Sequence, residues 1–271
     1  MPHMTGLGDG GQGKNLRLEN GQGRPIVFVH GVWMSGRYFH RQLPELGKNH
    51  HAIALDLRGH GGSTHTPVGH TMATYVEDLR AFLKAKGLID VVLAGWSMGC
   101  MVVWDYFKQF GDENVAAAIF VDQCPSDFKW PDWDLGIFDL PDLVHTMSDA
   151  QTGREAVYRG FLPMLFKTPP TAEDMEWMVA ENMRIPASIA GAVLFSQTMQ
   201  DYRADLAKVT VPTLVIAGGM KDKLLSTASV KFVHDNIPGS QYSVFEDSNH
   251  CPFLEEPERF NREVDAFVRA L

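Results

Sequence analysis

Five short, solidly apolar runs set the framework of this chain: residues 25–30 (PIVFVH), 51–56 (HAIALD), 91–95 (VVLAG), 116–121 (AAAIFV) and 212–217 (PTLVIA). A strand that is apolar at nearly every position has both faces covered, which is the condition of a strand inside a parallel sheet. Residues 241–245 (QYSVF) alternate more and suit a strand nearer the sheet edge. Helical patterns fall between these runs. Residues 71–86 set Met72, Tyr75, Val76, Leu79, Phe82 and Leu83 at helical spacing and stop at Gly87. Residues 98–110 and 256–271 read the same way, with Phe260, Val264, Phe267 and Val268 on one face of the second. Strand then helix, repeated, predicts an α/β fold: a mostly parallel sheet, helices on both faces, right-handed crossovers.

One stretch breaks the rhythm. Between residues 121 and 211 there is no strand-like run; residues 125–141 are rich in Asp, Trp and Pro, and helical patterns cover 143–165, 171–182 and 186–200. An all-helical insertion after the sixth strand predicts a lid over the carboxyl ends of the strands, where sites of parallel sheets are built. The expected organisation is a Gly-rich N-terminal segment (1–23), a core of 24–124 and 206–271, and a helical cap of 125–205. Residues 1–13 read as a frayed end. The lid aromatics (Phe128, Trp130, Trp133, Phe138 and Trp177, with Met178) are expected to pack its core, some lining an apolar pocket.

Composition narrows the possible partners. Twenty-four basic against thirty-three acidic residues give a net charge of −9, with no Lys/Arg-rich run. Nucleic acid and anionic membrane surfaces are therefore poor partners, and a small-molecule substrate is expected. No apolar run approaches the ~18 residues of a membrane span, and no basic-then-apolar secretory leader opens the chain. The three cysteines, Cys100, Cys124 and Cys251, form no CxxC pair and no Cys/His cluster. Free thiols in a cytoplasmic setting, no disulfide framework, no metal and no cofactor are the expectation. Cys100 and Cys251 read as small buried hydrophobes. Seven acids between Asp122 and Asp149, against Lys129 alone, read as a solvated loop that disfavours anionic substrates.

The chemistry concentrates in Gly95-Trp96-Ser97-Met98-Gly99. This GxSxG follows a buried strand and opens a helix, so Ser97 is placed on a tight turn with its Oγ above the sheet, beside helix N–H groups that favour negative charge. A serine alcohol needs a base oriented by a third group. His250 follows the strand at 241–245, just before the last helix, and is the expected base. Two carboxylates are placed to orient it. Asp222 follows the strand at 212–217 and gives the chain order Ser, Asp, His; it is taken as the acid. Asp122 directly ends the strand at 116–121 and is the alternative, with capping of the lid's first turn as a sufficient job of its own. His30-Gly31-Val32-Trp33, after the strand at 25–30, brings a backbone N–H to the site. By position, the oxyanion donors are the N–H groups of Val32 and Met98. Trp33 and Trp96 are expected at the substrate, Trp33 as a pocket wall.

With these residues the chain resembles the α/β-hydrolase-fold superfamily from about residue 24 to the end, in the branch of cofactor-free haloperoxidases (perhydrolases), small carboxylesterases and C–C bond hydrolases. His30-Gly31, the segment 56–63 (DLRGHGGS), the elbow, and His250 with Pro252 and Glu256-Pro257 carry the resemblance. It implies that 56–63 is a structural turn near the site. The chain departs from the pattern where Asn249 stands in place of a glycine, and where no strand is visible ahead of residue 24. Ser rather than Asp at position 97 speaks against haloalkane dehalogenases and epoxide hydrolases.

The reading is a serine hydrolase that cleaves a small to medium, largely apolar ester, thioester or lactone through an acyl-Ser97. Perhydrolysis, in which peroxide replaces water, and C–C bond hydrolysis are alternatives on the same triad. A slow-turnover ligand-binding or signalling protein is the alternative from another class.

Overall fold

The computed structural model describes residues 3–6, 16–219 and 224–271. Eight strands form one sheet: β1 His3–Gly6, β2 Leu16–Asn20, β3 Pro25–Val29, β4 His51–Leu55, β5 Val91–Trp96, β6 Val115–Val121, β7 Thr213–Gly218 and β8 Gln241–Phe245. Their order is β1-β2-β4-β3-β5-β6-β7-β8. From β4 to β8 every pairing is parallel, and β5 and β7 are buried at all six positions. Covered faces account for the unbroken apolar runs. The outer strand β8 is mostly half-buried, in line with its alternation.

The N-terminus corrects the expectation of a frayed end. β2 pairs antiparallel with β4, and β1 pairs antiparallel with β2. The sequence LRLEN alternates, as befits an antiparallel strand with one wet face, and Arg17 Nε reaches Glu19 Oε2 at 2.9 Å along it. Residues 7–13 lie outside the described residues.

The helices are α1 Leu43–Leu46, α2 Met72–Lys86, α3 Met98–Phe110, α4 Leu140–Thr152, α5 Arg154–Phe161, α6 Ala172–Asn182, α7 Ala187–Thr198, α8 Thr227–Asn236, α9 Pro252–Glu255 and α10 Pro257–Arg269. Local chemistry sets their ends. Thr71 Oγ1 accepts the Thr74 N–H at the start of α2, and Gly87 at φ 60 closes its end. The helix expected over 143–165 is instead α4, α5 and a 3-10 turn, because Gly153 leaves helical geometry at φ −150, ψ 41. Helices α4 to α7 fill the connection from β6 to β7, and its only described pairing is the bridges Phe128–Phe138 and Trp130–Trp133. The insertion is fastened to the core: Trp33 Nε1 donates to Ala190 O at 3.0 Å, and Tyr38 OH to Asn182 Oδ1 at 2.8 Å. Among the described residues, no helix is long and apolar enough to cross a membrane.

The turn at 56–63 is built around a buried carboxylate. Asp56 Oδ1 accepts the Gly36 N–H and Oδ2 the Gly62 N–H, each at 2.7 Å. Burial nevertheless outweighs these bonds and raises its pKa to about 6. Two buried histidines, His30 and His60, lie alongside with ring centroids 4.9 Å apart. His30 Nε2 accepts the Leu57 N–H at 3.0 Å, so its proton sits on Nδ1 and is donated to Gly31 O. Burial lowers His30 to about 4 and places His60 well below the ordinary histidine value.

These shifts give stability a sign with pH. As pH falls below the histidine value of 6.5, the unfolded chain protonates both imidazoles while burial holds both neutral in the native state, His30 down to about 4, so stability is lost. Asp56 works the other way, taking up its proton natively near 6 but in the unfolded chain only near 3.8. With two histidines resisting protonation against one carboxyl that favours it, acidification below about pH 6 destabilises this cluster on balance. Urea titrations at several pH values should show His60→Gln losing less stability on acidification than the native chain. Parallel losses would refute the assignment.

Candidate active site

Beyond the carboxyl ends of β3, β5 and β6 stand non-glycine residues with positive φ: Trp33 at 64° in the loop after β3, Ser97 at 54° and Asp122 at 45° directly after β5 and β6. Such backbone costs about 1–3 kcal/mol per residue and persists where the surroundings over-determine it, which favours functional positions. Ser97 sits between β5 and α3 with ψ −127. Its N–H donates to Val121 O at 3.1 Å, and its carbonyl accepts Cys100 N–H at 2.8 Å. The flanking glycines follow from contact. A Cβ on Gly95 would lie 2.5 Å from Cys100 N, and one on Gly99 2.0 Å from Val29 O.

Ser97 Oγ makes no hydrogen bond to a described residue and faces a cavity of about 80 Å³. That is well under the ~300–1,000 Å³ of sites that enclose drug-sized ligands. Val32, Trp33, Phe138, Phe161 and Leu194 supply apolar walls, and Gln123 and Gln197 are among the few polar ones. A larger cleft of about 290 Å³ beside Phe166 and Leu254 contains neither Ser97 nor His250, so size alone does not mark the site. The loop after β3 presses on Ser97: a Cβ on Gly31 would sit 3.1 Å from Ser97 Cβ and 3.5 Å from Oγ. Val32 follows at this point, and Met98 opens α3 directly after Ser97. Neither backbone N–H donates to an acceptor among the described residues.

His250 is 2% exposed and held from three sides. Its N–H donates to Leu165 O of the insertion, its carbonyl accepts Trp96 Nε1–H at 2.8 Å, and its Nδ1 lies 2.7 Å from Asp122 Oδ2. Nε2 makes no hydrogen bond to a described residue and is left for another proton. The second oxygen of Asp122 accepts the Gly218 N–H at 2.8 Å, and the Asp122 N–H donates to Ile216 O. The carboxylate therefore spans from the end of β6 to the end of β7 and meets the histidine that follows β8.

Of the two candidate carboxylates, this pairing brings Asp122 to His250. An imidazole Nδ1 directs one bond, and Asp122, the alternative, occupies it. Asp222, taken first from chain order, lies outside the described residues. Trp96 is also corrected. It is 1% exposed and packs against Phe39, Phe253 and His250 rather than lining the cavity, so it positions the histidine segment. Trp33 does line the cavity, with Tyr158 and Phe161 of α5 against its ring. Asn249, in place of a glycine, donates through Nδ2 to Met164 O at 2.6 Å and so ties the histidine segment to the insertion.

The three cysteines are buried and free, and burial pushes each thiol up. Of the acids at 122–149, Asp132, Asp134, Asp139 and Asp142 are exposed as expected, but Asp122 and Asp127 are buried. Gln123, Asp127 and Gln197 form a cluster at the cavity that no spacing in the sequence announced.

The sequence profile of the alpha/beta hydrolase family matches residues 26–263. The non-heme chloroperoxidase CPO-A1 of Kitasatospora aureofaciens is 29% identical over 265 residues, covering 92% of this chain and 93% of that protein. The AB hydrolase superfamily protein YisY of Bacillus subtilis is 28% identical, with 91% and 92% covered. Among solved structures, an esterase from Exiguobacterium antarcticum superposes with a TM-score of 0.92 at 25% identity, covering 98% of this chain and 99% of that one. With a strand–serine–helix elbow, a histidine after the last strand and this match over most of its length, the chain belongs to the alpha/beta hydrolase family.

Proposed function

We propose that the protein is a serine hydrolase that cleaves small, largely apolar esters, thioesters or lactones through an acyl-Ser97, with His250 as base and Asp122 as its orienting acid. The observation that carries this reading is the 2.7 Å contact of Asp122 Oδ2 with His250 Nδ1, at the sheet end where Ser97 opens to an apolar cavity. His250 Nε2 takes the Ser97 proton as Oγ attacks the substrate carbonyl carbon. The Val32 and Met98 N–H groups hold the oxyanion. His250 then returns the proton to the leaving alkoxide, the C–O bond breaks, and acyl-Ser97 remains. Water gives a proton to His250 and attacks the acyl carbon; His250 returns that proton to Ser97 Oγ as the Oγ–acyl bond breaks, and the acid leaves. Asp122 accepts from Nδ1–H throughout, which keeps Nε2 basic and stabilises the imidazolium. The cap of residues 125–205 acts as the lid.

The likeness to a relative named chloroperoxidase favours a second use of the same intermediate. Hydrogen peroxide in place of water would attack acyl-Ser97 and release a peracid and free serine.

A short-chain p-nitrophenyl ester should give a burst of p-nitrophenol, and a fluorophosphonate probe should label Ser97. In Ser97→Ala both should vanish, with kcat down by about 10⁶ as for removal of a triad serine. A probe that leaves Ser97 unlabelled, or a variant that keeps its rate, would sink the proposal. Acetate with peroxide and a dye reporter tests the second use.

A further inference from the structure

The histidine segment and the insertion are joined backbone to backbone. His250 donates its N–H to Leu165 O at 2.9 Å, so one of the bonds that set the base in place comes from residues 162–165, a single 3-10 turn between α5 and α6. Two side chains, Asn249 and Glu255, hold that turn where it is. Asn249 is 3% exposed and donates through Nδ2 to Met164 O at 2.6 Å. Adjacent carbonyls of the turn, at 164 and 165, thus receive adjacent residues of the segment, 249 and 250. The Met164 side chain is 46% exposed, so at this residue the turn is gripped by its carbonyl rather than by packing. Glu255 of α9 adds a second hold: its Oε2 accepts the Asn249 N–H at 2.8 Å and its Oε1 the Lys167 N–H at 2.6 Å. One carboxylate bridges the two backbones. A glycine at position 249 would leave the backbone bonds in place but offer no donor to Met164 O.

The other anchors of His250 are Asp122 at Nδ1 and Trp96 Nε1–H at its carbonyl. Its N–H end therefore depends on the turn, and a catalytic group displaced by about 1 Å loses on the order of 10²-fold in rate. We propose that Asn249 is a positioning residue for the general base: with Glu255 it clamps residues 164–167 of the insertion onto the histidine segment, so that Leu165 O fixes the backbone of His250 and the imidazole is aimed for proton transfer. This rests on the hydrolase reading, in which His250 Nε2 takes the Ser97 proton and returns it to the leaving group.

The experiment compares kcat/KM for p-nitrophenyl butyrate and phenyl butyrate, read as a ratio within each protein, for the native enzyme, Asn249→Ala and Glu255→Gln. The acyl part is the same in both esters. Phenolate, with the basicity of a tyrosine side chain (pKa about 10), draws on a proton from His250 as it leaves, and p-nitrophenolate does so far less. A misaimed imidazole therefore costs the phenyl ester more. In Asn249→Ala, kcat/KM should fall about tenfold for phenyl butyrate and about threefold for p-nitrophenyl butyrate, so the ratio of p-nitrophenyl to phenyl should rise about threefold, with KM unchanged. Partial unfolding lowers both rates alike and leaves the ratio still. Glu255→Gln keeps the side-chain size but turns an NH₂ toward one of the two backbone N–H groups; its ratio should rise too, and it decides the matter if Asn249→Ala does not fold. A native ratio in Asn249→Ala, or in Glu255→Gln where the first variant does not fold, overturns the inference and leaves the hydrolase reading standing. Hydrolysis of neither ester by the native protein, with Ser97 unlabelled by the phosphonate, would sink both.

Discussion

Asp122→Asn should lower kcat for ester hydrolysis by about 10⁴ while the fold survives, the scale of an acid-to-amide change in well-studied triads. The direction follows from the two bonds that the carboxylate makes. Asp122 Oδ1 accepts the Gly218 N–H, so an asparagine would keep its oxygen there and turn its NH₂ toward His250 Nδ1. That NH₂ donates, which forces the imidazole proton onto Nε2, the nitrogen that must receive the Ser97 proton. The tautomer becomes wrong for catalysis without loss of a buried bond. Steady-state kinetics with circular dichroism as the folding control checks this. Asp222→Asn should cost less; an equal or larger loss there would return the acid to Asp222.

Gly218→Ala should be the most damaging small substitution in the sheet. A Cβ at this position would lie 1.9 Å from Asn249 O and 2.6 Å from its carbonyl carbon, and backbone cannot rotate aside as a side chain can. The segment carrying His250 must move by about 1 Å, and the Gly218 N–H that holds Asp122 moves with it. Misplacement on that scale costs on the order of 10²-fold in rate, and overpacking costs about 1–3 kcal/mol of stability. Both kcat and Tm should fall together. Gly160→Ala is the matched control: it lies within α5, its Cβ would meet nothing within 4 Å, and it should be neutral or slightly stabilising. Native-like kinetics in Gly218→Ala would show that the histidine segment is more compliant than its contacts imply.

Much of this architecture is written in local pattern. The parallel strands were legible because burial on both faces leaves unbroken apolar runs, as in VVLAGW of β5. Helix α2 was legible from its stripe and its ends, since Thr71 and Gly87 act on their own neighbours. Ser97 and His250 were legible because a strand–turn–helix elbow and a position after the last strand are features of the chain itself. Strands β1 and β2 were not: their pairing with β4 is made across the fold, and short alternating stretches beside a Gly-rich segment carry little signal.

The partner of His250 marks the boundary between the two kinds of information. Asp122 and Asp222 both follow parallel strands, and chain order favours the second. Strand ends constrain which residues can approach but not which side chain arrives. Only packing brought Asp122 across the end of β7, at φ 45, to a histidine 128 positions away. The same holds for Asp127 and Gln197, seventy residues apart, which meet because α7 folds back beside the segment after β6. Sequence by itself determined the parallel strands, the elbow and the place of Ser97 on it, because those depend on neighbours a few residues apart. Tertiary structure alone decided which described carboxylate meets His250 and that Asp127 meets Gln197, because a hydrogen bond between distant segments depends on distance in space, and a strand pattern does not encode it.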